Sequence, residues 1–470
     1  MAHQEISESN FISKAEVFKF AVPSMMEELF NTFTSIIDSK MVSTLGVSYI
    51  SAVSVTIQPK FFIFAPFMAV NTVLSSLVAF YYDKKDRKRI NSIFLTAIYS
   101  VIVLSIVLGI LSCVFAKGLM QICSGQNDTM HLSVQYFRII MGGMIFNHLL
   151  LFINAGLRGY GKTNLAFTSN AISCIVNICF NYLLIEGHFG FPALKIQGAA
   201  LATVLGTFVA FLYSLFYVLK ETEYLSMVFI LKNKIKSSFS ALKEILHMWK
   251  ETFAENILMR IGLLFCSAIM ARTGSFEVSV YSVASSMLSF SYAFGRGFMN
   301  SAIVLIGRSR GAGQKDLIKK YSYKLIRISA VFSLISACII ILCSKPFIGL
   351  YSSDPNFISL GIKSCIFIAA ASLFQIPKVC FTGMLQGLGM MKQTKHAAFW
   401  SVLLLQPIAN ILFGPLLQKR PVNYRSIILL KNLTFIGLSS TRTGLIWSIA
   451  AFSRYLRTSL YNNWVCGSEK

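Results

Sequence analysis

The sequence of 470 residues is poor in charged side chains, and acidic ones are the scarcest. Charged residues make up 13% of the chain and hydrophobic residues 55%, whereas a soluble domain has about 25% charged residues. So few polar groups cannot cover a water-soluble globule of this size. The scarcity therefore excludes most soluble enzymes, nucleic-acid-binding proteins and secreted disulfide scaffolds, and it favours a protein that crosses the membrane several times.

Other familiar signatures are missing as well. The ten cysteines include no Cys-x-x-Cys pair, and most lie inside apolar runs, which predicts small buried side chains. The six histidines form no metal-binding group, so we expect no tightly bound metal. The first twenty residues lack the basic start and the cleavage site of a signal peptide.

Long apolar runs dominate what is present. A bilayer-spanning helix needs about 20 mostly apolar residues, and the sequence offers twelve such segments. They are roughly 20–42, 52–80, 93–116, 134–155, 165–186, 198–219, 253–271, 278–306, 325–344, 362–385, 397–417 and 430–455. The last is interrupted by Lys431 and Arg442, so the topology of residues 418–455 is left open.

The basic residues lie mainly on one side of these segments. The N-terminus, the even-numbered loops and the C-terminus hold most of the Lys and Arg, with six in 220–250 and six in 307–325. Cytoplasmic loops carry such an excess. The pattern predicts a multi-pass membrane protein with both termini in the cytoplasm. The net charge of +24 then needs no nucleic-acid partner.

An internal repeat is the strongest feature of the sequence. Four segments recur at one offset of 228 residues, and Lys85-Asp86 matches Lys315-Asp316 after a shift of two. The four pairs are 23–27 with 251–255, 44–46 with 272–274, 54–55 with 282–283, and 157–161 with 385–389. With six spans in each repeat, both halves enter the membrane in the same direction. We therefore predict an all-α membrane protein of twelve transmembrane helices in two six-helix lobes: an N-lobe (1–219), a cytoplasmic linker (220–250) and a C-lobe (251–470).

Acidic residues inside a bilayer are costly and usually functional. On the first predicted span, Glu27, Asn31, Thr34 and Asp38 follow the spacing of one helix face. A second polar stripe runs along the fifth span, and the sixth adds Thr203. The stripe on the fifth span consists of Asn170, Ser173, Asn177 and Asn181. Because two polar stripes facing lipid would leave many groups unsatisfied, we expect them to face each other or water.

Asp38 is the most informative of these residues, since it has no obvious Lys or Arg partner at its depth. Together with Asn177, Asn181 and Thr203 it offers oxygen ligands and amide donors. Such a group suits a proton or a hard cation such as Na⁺, although amides also hold helices together without further function. In the second half only Glu255 remains, and a structural pairing with Arg260 is its alternative.

Residues 156–163 fit the phosphate-binding pattern GxxxxGK[ST]. The functional motif follows a soluble strand, whereas this segment follows an apolar span and its repeat mate does not keep the pattern. We predict a tight turn here and expect no cofactor.

These residues together resemble the multidrug and toxic compound extrusion (MATE) family over about residues 15–415. The resemblance rests on Pro23 followed by Asp38, the paired motifs Leu157-Arg158-Gly159-Tyr160-Gly161 and Leu385-Gln386-Gly387-Leu388-Gly389, the segment Gly198-Ala199-Ala200-Leu201-Ala202-Thr203, and Asn177-xxx-Asn181.

The resemblance implies a secondary active antiporter that exports organic cations and other drugs against inward Na⁺ or H⁺. It implies that Asp38 is the coupling site, supported by Asn177, Asn181 and Thr203, and that Glu255 is the candidate second acid. Glu27, Asn31, Thr34 and Gln375 are the expected lining of the substrate pathway. Two positions depart from the family pattern, since Asn181 stands where many relatives have Asp and Gln375 where some have Asp.

Two other functions fit parts of the sequence. A lipid-linked oligosaccharide flippase of the same superfamily would need a cationic cavity, for which the intramembrane candidates are Lys60, Arg138, Arg260, Arg296, Arg327, Lys363 and Lys378. A membrane-embedded enzyme would need a paired His/Asp or Ser/Lys group, which the sequence lacks, so we expect no enzymatic activity. The substrates, the choice between Na⁺ and H⁺, and the oligomeric state are not determined by the sequence.

Overall fold

The computed structural model describes residues 14–123, 129–220, 224–270, 275–405, 450 and 453. Apart from turns, these residues are helical and include no strand. The helices are α1 (Lys14–Ser43), α2 (Val47–Asp83), α3 (Arg87–Val114), α4 (Ala116–Cys123), α5 (Met130–Gly142), α6 (Met144–Gly159), α7 (Thr163–Ile185), α8 (Lys195–Lys220), α9 (Met227–Lys232), α10 (Phe239–Met270), α11 (Ser275–Gly311), α12 (Lys315–Gly349), α13 (Pro355–Gly387) and α14 (Met391–Ala398), followed by a π-helical segment Phe399–Leu405.

The apolar segments form these long helices. Within the part of the chain that the structure describes, six helices are long and apolar enough to cross a membrane, namely α2, α3, α7, α8, α12 and α13, and the pair α5–α6 adds a seventh if it counts as one bent span. The predicted segments 20–42 and 278–306 lie within α1 and α11, and the described part of 253–271 forms the second half of α10. The segment 430–455 and most of 397–417 lie outside the described residues.

The internal repeat governs the helix boundaries. Adding 228 to the first residues of α2, α3 and α7 gives those of α11, α12 and α14, and adding it to the last residues of α2 and α6 gives those of α11 and α13. The repeat therefore sets these five helix ends without a gap in the alignment.

The turn after α6 shows the same register at the level of hydrogen bonds. Gly161 has φ +91°, and the amides of Gly161 and Lys162 donate to the carbonyls of Arg158 and Leu157. Gly389, 228 residues later, has φ +74°, and the same two bonds recur after α13. This is the helix-ending motif that favours glycine at a positive φ. The predicted tight turn at 156–163 is therefore confirmed.

The loop after α2 corrects one detail of the repeat. Lys85 (φ +55°) and Gly313 (φ +70°) end α2 and α11 with the same pair of hydrogen bonds. They are 228 residues apart, so the predicted shift of two, which pairs Lys85-Asp86 with Lys315-Asp316, is wrong. The similar dipeptides misled the alignment, whereas the backbone conformation keeps the common register.

The chain forms two compact units. Of the described residues, the N unit contains those of Lys19–Phe253 and Gly307–Gln314, and the C unit contains those of Met1–Phe18, Ala254–Ile306 and Lys315–Lys470. The N unit is packed around large buried side chains such as Phe67, Phe94 and Phe152, and the C unit around Met287, Ile340 and Ile368. Part of the predicted linker is itself helical, because α9 and the start of α10 lie within 220–250.

One break interrupts the fourth predicted span. At Gly143 the chain bends by 46° between α5 and α6, and a Cβ atom at Gly143 would lie 2.4 Å from the Val204 side chain of α8. One turn beyond, the buried ring of His148 stacks on Phe67 at 3.5 Å, and its Nδ1 lies 3.2 Å from Ser105 Oγ. The close approach of α8 thus requires glycine, and His148 has a packing role.

Candidate functional site

The site predicted on the first, fifth and sixth spans assembles within the N unit. Asn181 Nδ2 of α7 donates to Asp38 Oδ1 of α1 at 2.6 Å. The Asn177 amide nitrogen, oriented toward the same carboxylate, donates to Asp38 Oδ1 at 2.8 Å, and its oxygen accepts from Thr203 Oγ1 of α8 at 3.2 Å. Three helices therefore bring Asp38, Asn177, Asn181 and Thr203 into one hydrogen-bonded group.

Close packing of α7 on α8 makes this arrangement possible. A Cβ atom at Gly206 would lie 2.7 Å from the Ser173 carbonyl oxygen, and one at Gly198 would lie 2.4 Å from the Leu184 carbonyl oxygen. Small residues let membrane helices approach at backbone distance. Thr203 lies between these two glycines on α8, so its hydroxyl is held beside α7.

One acceptor in the group has no partner among the described residues. Asn181 is 1% exposed, and its Oδ1 atom makes no hydrogen bond there. A buried amide oxygen without a donor is costly. Next to the Asp38 carboxylate it is an oxygen that a cation or a protonated group can use.

A residue that the sequence analysis did not connect with the site is Lys60 of α2. Its charge interacts with that of Asp38, so the expectation that Asp38 has no Lys or Arg partner at its depth is wrong. A lysine in the middle of an apolar segment was the available signal, because such residues usually pair with another charge.

Glu27, eleven residues before Asp38 on α1, lies in a separate network. Its buried carboxylate accepts two bonds from Arg158 Nη1, at 2.9 and 3.2 Å, and one from the Asn170 amide of α7. Its charge is therefore balanced by an ion pair at the end of α6. These contacts hold α1 against α6 and α7. The predicted place of Glu27 in the substrate pathway stays a prediction.

The repeat mate of Glu27 is Glu255, in α10 of the C unit. Thr394 Oγ1 donates to Glu255 Oε2 at 2.6 Å, and Gln386 forms a second side-chain hydrogen bond with it. Lys378 of α13 supplies the opposite charge that acts on this carboxylate. Among the described residues the partners of Glu255 do not include Arg260, the structural partner considered from the sequence.

The remaining predicted residues lie apart from the hydrogen bonds of Asp38. Asn31 Oδ1 is 3.8 Å from Cys174 Sγ of α7, and Thr34 Oγ1 donates to the Phe30 carbonyl oxygen of its own helix at 2.8 Å. Gln375 is buried in α13 of the C unit, two residues before Pro377. Their assignment to a substrate pathway stays a prediction.

Comparison with known proteins identifies the family. The MatE family model matches residues 23–183 and 252–412, one match in each half of the repeat. The probable multidrug resistance protein NorM of Thermotoga maritima is 23% identical over 377 residues, which cover 80% of each chain.

Two solved structures share the fold. An outward-facing multidrug resistance MATE family transporter of the MOP superfamily has a TM-score of 0.84 and 18% identity, covering 94% of this chain and 96% of that one. A MOP superfamily transporter from Pyrococcus furiosus, described as having a binding pocket of reverse polarity, has a TM-score of 0.83 and 19% identity over the same shares. These matches confirm the predicted fold class, an all-helical multi-pass membrane protein with two lobes. With the family model covering more than half of its length, the chain belongs to the MatE family.

Proposed function

We propose that this protein is a secondary active antiporter that exports organic cations and other drugs in exchange for Na⁺ or H⁺. The observation that carries the proposal is the buried group in which Asn177 and Asn181 both donate to Asp38. The name of the Thermotoga relative, a probable multidrug resistance protein, supports the substrate class. No cofactor is needed, and no enzymatic activity is proposed.

The coupling step would take place at the Asp38 carboxylate. The two amide donors contact the Asp38 carboxylate, and the positive charge of Lys60 acts on it. A proton or Na⁺ from outside would neutralise the carboxylate charge and compete with these donors, so the hydrogen bonds from α7 to α1 would weaken. Pro23, which lies within α1 and deprives it of one backbone hydrogen bond, is the point where α1 would bend.

Both coupling ions suit the site chemically. Na⁺ takes carboxylate, amide and hydroxyl oxygens, and Asn181 Oδ1 has no other partner among the described residues. A proton needs only the carboxylate. Glu255, held by Thr394 and Gln386, is the second acid of the proposal, in the C-lobe.

The proposed setting is the plasma or bacterial inner membrane, with both termini in the cytoplasm. The distribution of Lys and Arg in the sequence supports this orientation. In the same proposal residues 1–219 form the N-lobe, 220–250 the cytoplasmic linker and 251–470 the C-lobe.

The decisive experiment is efflux of a fluorescent organic cation from proteoliposomes under an imposed Na⁺ or pH gradient. Wild type, Asp38→Asn and the control Asp316→Asn should be compared, since Asp316 is an exposed acid at the start of α12. We expect one gradient to drive transport in wild type and in the control, and not in Asp38→Asn. Full activity of Asp38→Asn would move the coupling site to Glu255, and no gradient-driven transport in wild type would overturn antiport.

A second candidate function is the transfer of a lipid-linked oligosaccharide across the bilayer. It is favoured by one observation in the C unit, where Arg260 of α10 and Arg296 of α11 lie close enough to repel each other electrostatically. Two arginines within long helices suit an anionic group such as a diphosphate. Gradient-independent movement of a labelled anionic lipid, abolished by Arg260→Gln, would favour this function over antiport.

A further inference from the structure

Residues 224–238, which lie between α8 and α10, are fastened along the beginning of α3. The Asn91 side chain donates to the Tyr224 carbonyl oxygen at 2.7 Å and accepts from the Ser226 amide at 3.2 Å. Farther along, Ser92 Oγ donates to the Lys236 carbonyl oxygen, and the Ser238 amide donates to Thr96 Oγ1, each at 3.2 Å. The segment therefore has a fixed position on the side of α3.

This position corresponds to the edge of the bilayer. Helix α3 has 28 residues and is about 42 Å long, whereas the hydrocarbon core is about 30 Å thick. Ser92 and Thr96 lie about 7 and 13 Å from the start of α3 at 1.5 Å per residue. Centred on the hydrocarbon core, α3 would project about 6 Å beyond it at each end. A segment bound at these two residues therefore lies at the hydrocarbon boundary, beside the ends of the acyl chains.

Large apolar side chains of this segment and of the start of α10 are exposed. Leu231 is 77% exposed and Phe239 is 81% exposed, and Leu246 follows on the open side of α10 at 47%. The opposite face is packed, since Ala241 and Ile245 are almost fully buried. The start of α10 therefore has one face against the protein and one apolar face open.

Residues 227–250, which contain most of this segment and the start of α10, are basic, although two acids, Glu221 and Glu223, precede them in the sequence. Between residues 227 and 250 the sequence has five lysines and one acid, Glu244, which pairs with Arg89 at 2.7 Å. All five lysines are exposed. We call the following set the linker surface: Leu231, Lys232, Lys234, Lys236, Phe239 and Lys243.

We propose that the linker surface binds anionic phospholipid headgroups of the cytoplasmic leaflet, with Leu231 and Phe239 inserted beside the acyl chains. Lysines next to exposed apolar side chains are the pattern of a helix lying in an anionic interface. The depth set by Ser92 and Thr96 favours a lipid over a soluble anion, which would have no use for the apolar side chains. The assignment to the cytoplasmic leaflet rests on the orientation given above, but it does not depend on what the protein transports.

Hydrogen exchange of the full-length protein in lipid nanodiscs tests the proposal. Deuterium uptake of peptides covering 227–243 should be measured in discs of phosphatidylcholine alone and in discs with one quarter phosphatidylglycerol. We expect slower uptake with the anionic lipid. In K232Q/K234Q/K236Q the preference of residues 227–243 for the anionic over the neutral lipid should fall by about fivefold for each lysine removed. This is the factor that one lysine near an anionic surface supplies.

Two further variants separate the site from general effects of charge and fold. K319Q/K320Q/K324Q removes the same charge from α12 on the same predicted side and should keep the lipid effect. L231S/F239S keeps every charge and should lose much of it, while uptake in α3 stays unchanged. Equal uptake of wild type in both discs overturns the proposal, as does an equal loss in the α12 control. Equal protection by soluble polyphosphate in phosphatidylcholine discs would assign the surface to a soluble anion instead.

Discussion

Arg158 and Gln386 stand at equivalent positions of the internal repeat, and each contacts the buried glutamate of its own half. In the N unit Arg158 pairs with Glu27 at 2.9 Å. In the C unit Gln386 forms a hydrogen bond with Glu255, which also accepts from Thr394. The repeat has thus kept the acid in both halves and exchanged a charged partner for a neutral one, so the two glutamates are suited to different tasks.

We predict that Arg158→Gln destabilises the protein and that Glu27→Gln restores part of the loss. Removing one partner leaves a buried charge uncompensated, which costs about 3–5 kcal/mol, whereas two neutral amides leave no buried charge at this position. Thermal unfolding of the detergent-solubilised protein should give a lower Tm for Arg158→Gln than for the double variant E27Q/R158Q. A double variant no more stable than R158Q would show that the ion pair is not what holds α6 to α1.

Asn181→Ala should weaken coupling while leaving the fold intact. Its amide donates to the Asp38 carboxylate, and a hydrogen bond to a charged group is worth about 1.5–3 kcal/mol. We expect the initial rate of gradient-driven efflux to fall by about 10-fold or more. Asn233→Ala, an exposed asparagine at the end of α9, is the control and should transport like wild type. Equal rates in all three proteins would remove Asn181 from the coupling site.

Most of the architecture could be predicted from the sequence, because the positions of the helices depend on signals that are local along the chain. Apolar runs set the helices, and the glycines at 161 and 389 end two of them with a backbone conformation that other residues rarely adopt. The spacing of Asp38, Asn177 and Asn181 on helix faces was enough to predict that they meet, since polar stripes in lipid must face each other.

What the sequence did not contain depends on how helices rotate and approach one another. The proximity of Lys60 to Asp38 follows from the packing of α2 on α1, which no spacing within one helix reveals. The break between α5 and α6 lies at Gly142-Gly143, a kind of pair at which helices often kink, but only Val204 on a distant segment makes glycine necessary there. The exchange of Arg158 for Gln386 is visible in the aligned repeats, yet its consequence for Glu27 and Glu255 required the side-chain contacts.

Lys60→Met should increase the apparent affinity for the coupling ion. The positive charge of Lys60 acts on Asp38 and repels an incoming cation, so its removal by a side chain of similar length should lower the half-saturating ion concentration by about 10-fold, which corresponds to about 1.4 kcal/mol. Efflux from proteoliposomes at graded ion concentrations measures this quantity. Lys60→Arg keeps the charge and should behave like wild type; a Met variant with unchanged ion dependence would place Lys60 outside the electrostatics of the site.

Gly206→Ala should disrupt the site through the backbone, without touching any of its polar groups. A Cβ atom at this position would lie 2.7 Å from the Ser173 carbonyl oxygen and 3.0 Å from Asn177 Cβ, so α8 must move away from α7 and carry Thr203 with it. Forcing extra atoms into a packed contact costs about 1–3 kcal/mol.

The matched control is Gly142→Ala at the end of α5, where a Cβ atom meets nothing within 4 Å and where we expect the Tm to stay close to that of wild type. We expect Gly206→Ala to lower the Tm and to reduce gradient-driven efflux together, because the hydrogen bond between Asn177 and Thr203 depends on the distance between these helices. If Gly206→Ala and Gly142→Ala unfold at the same temperature and transport equally, close packing of α7 on α8 is not what positions the Asp38 group.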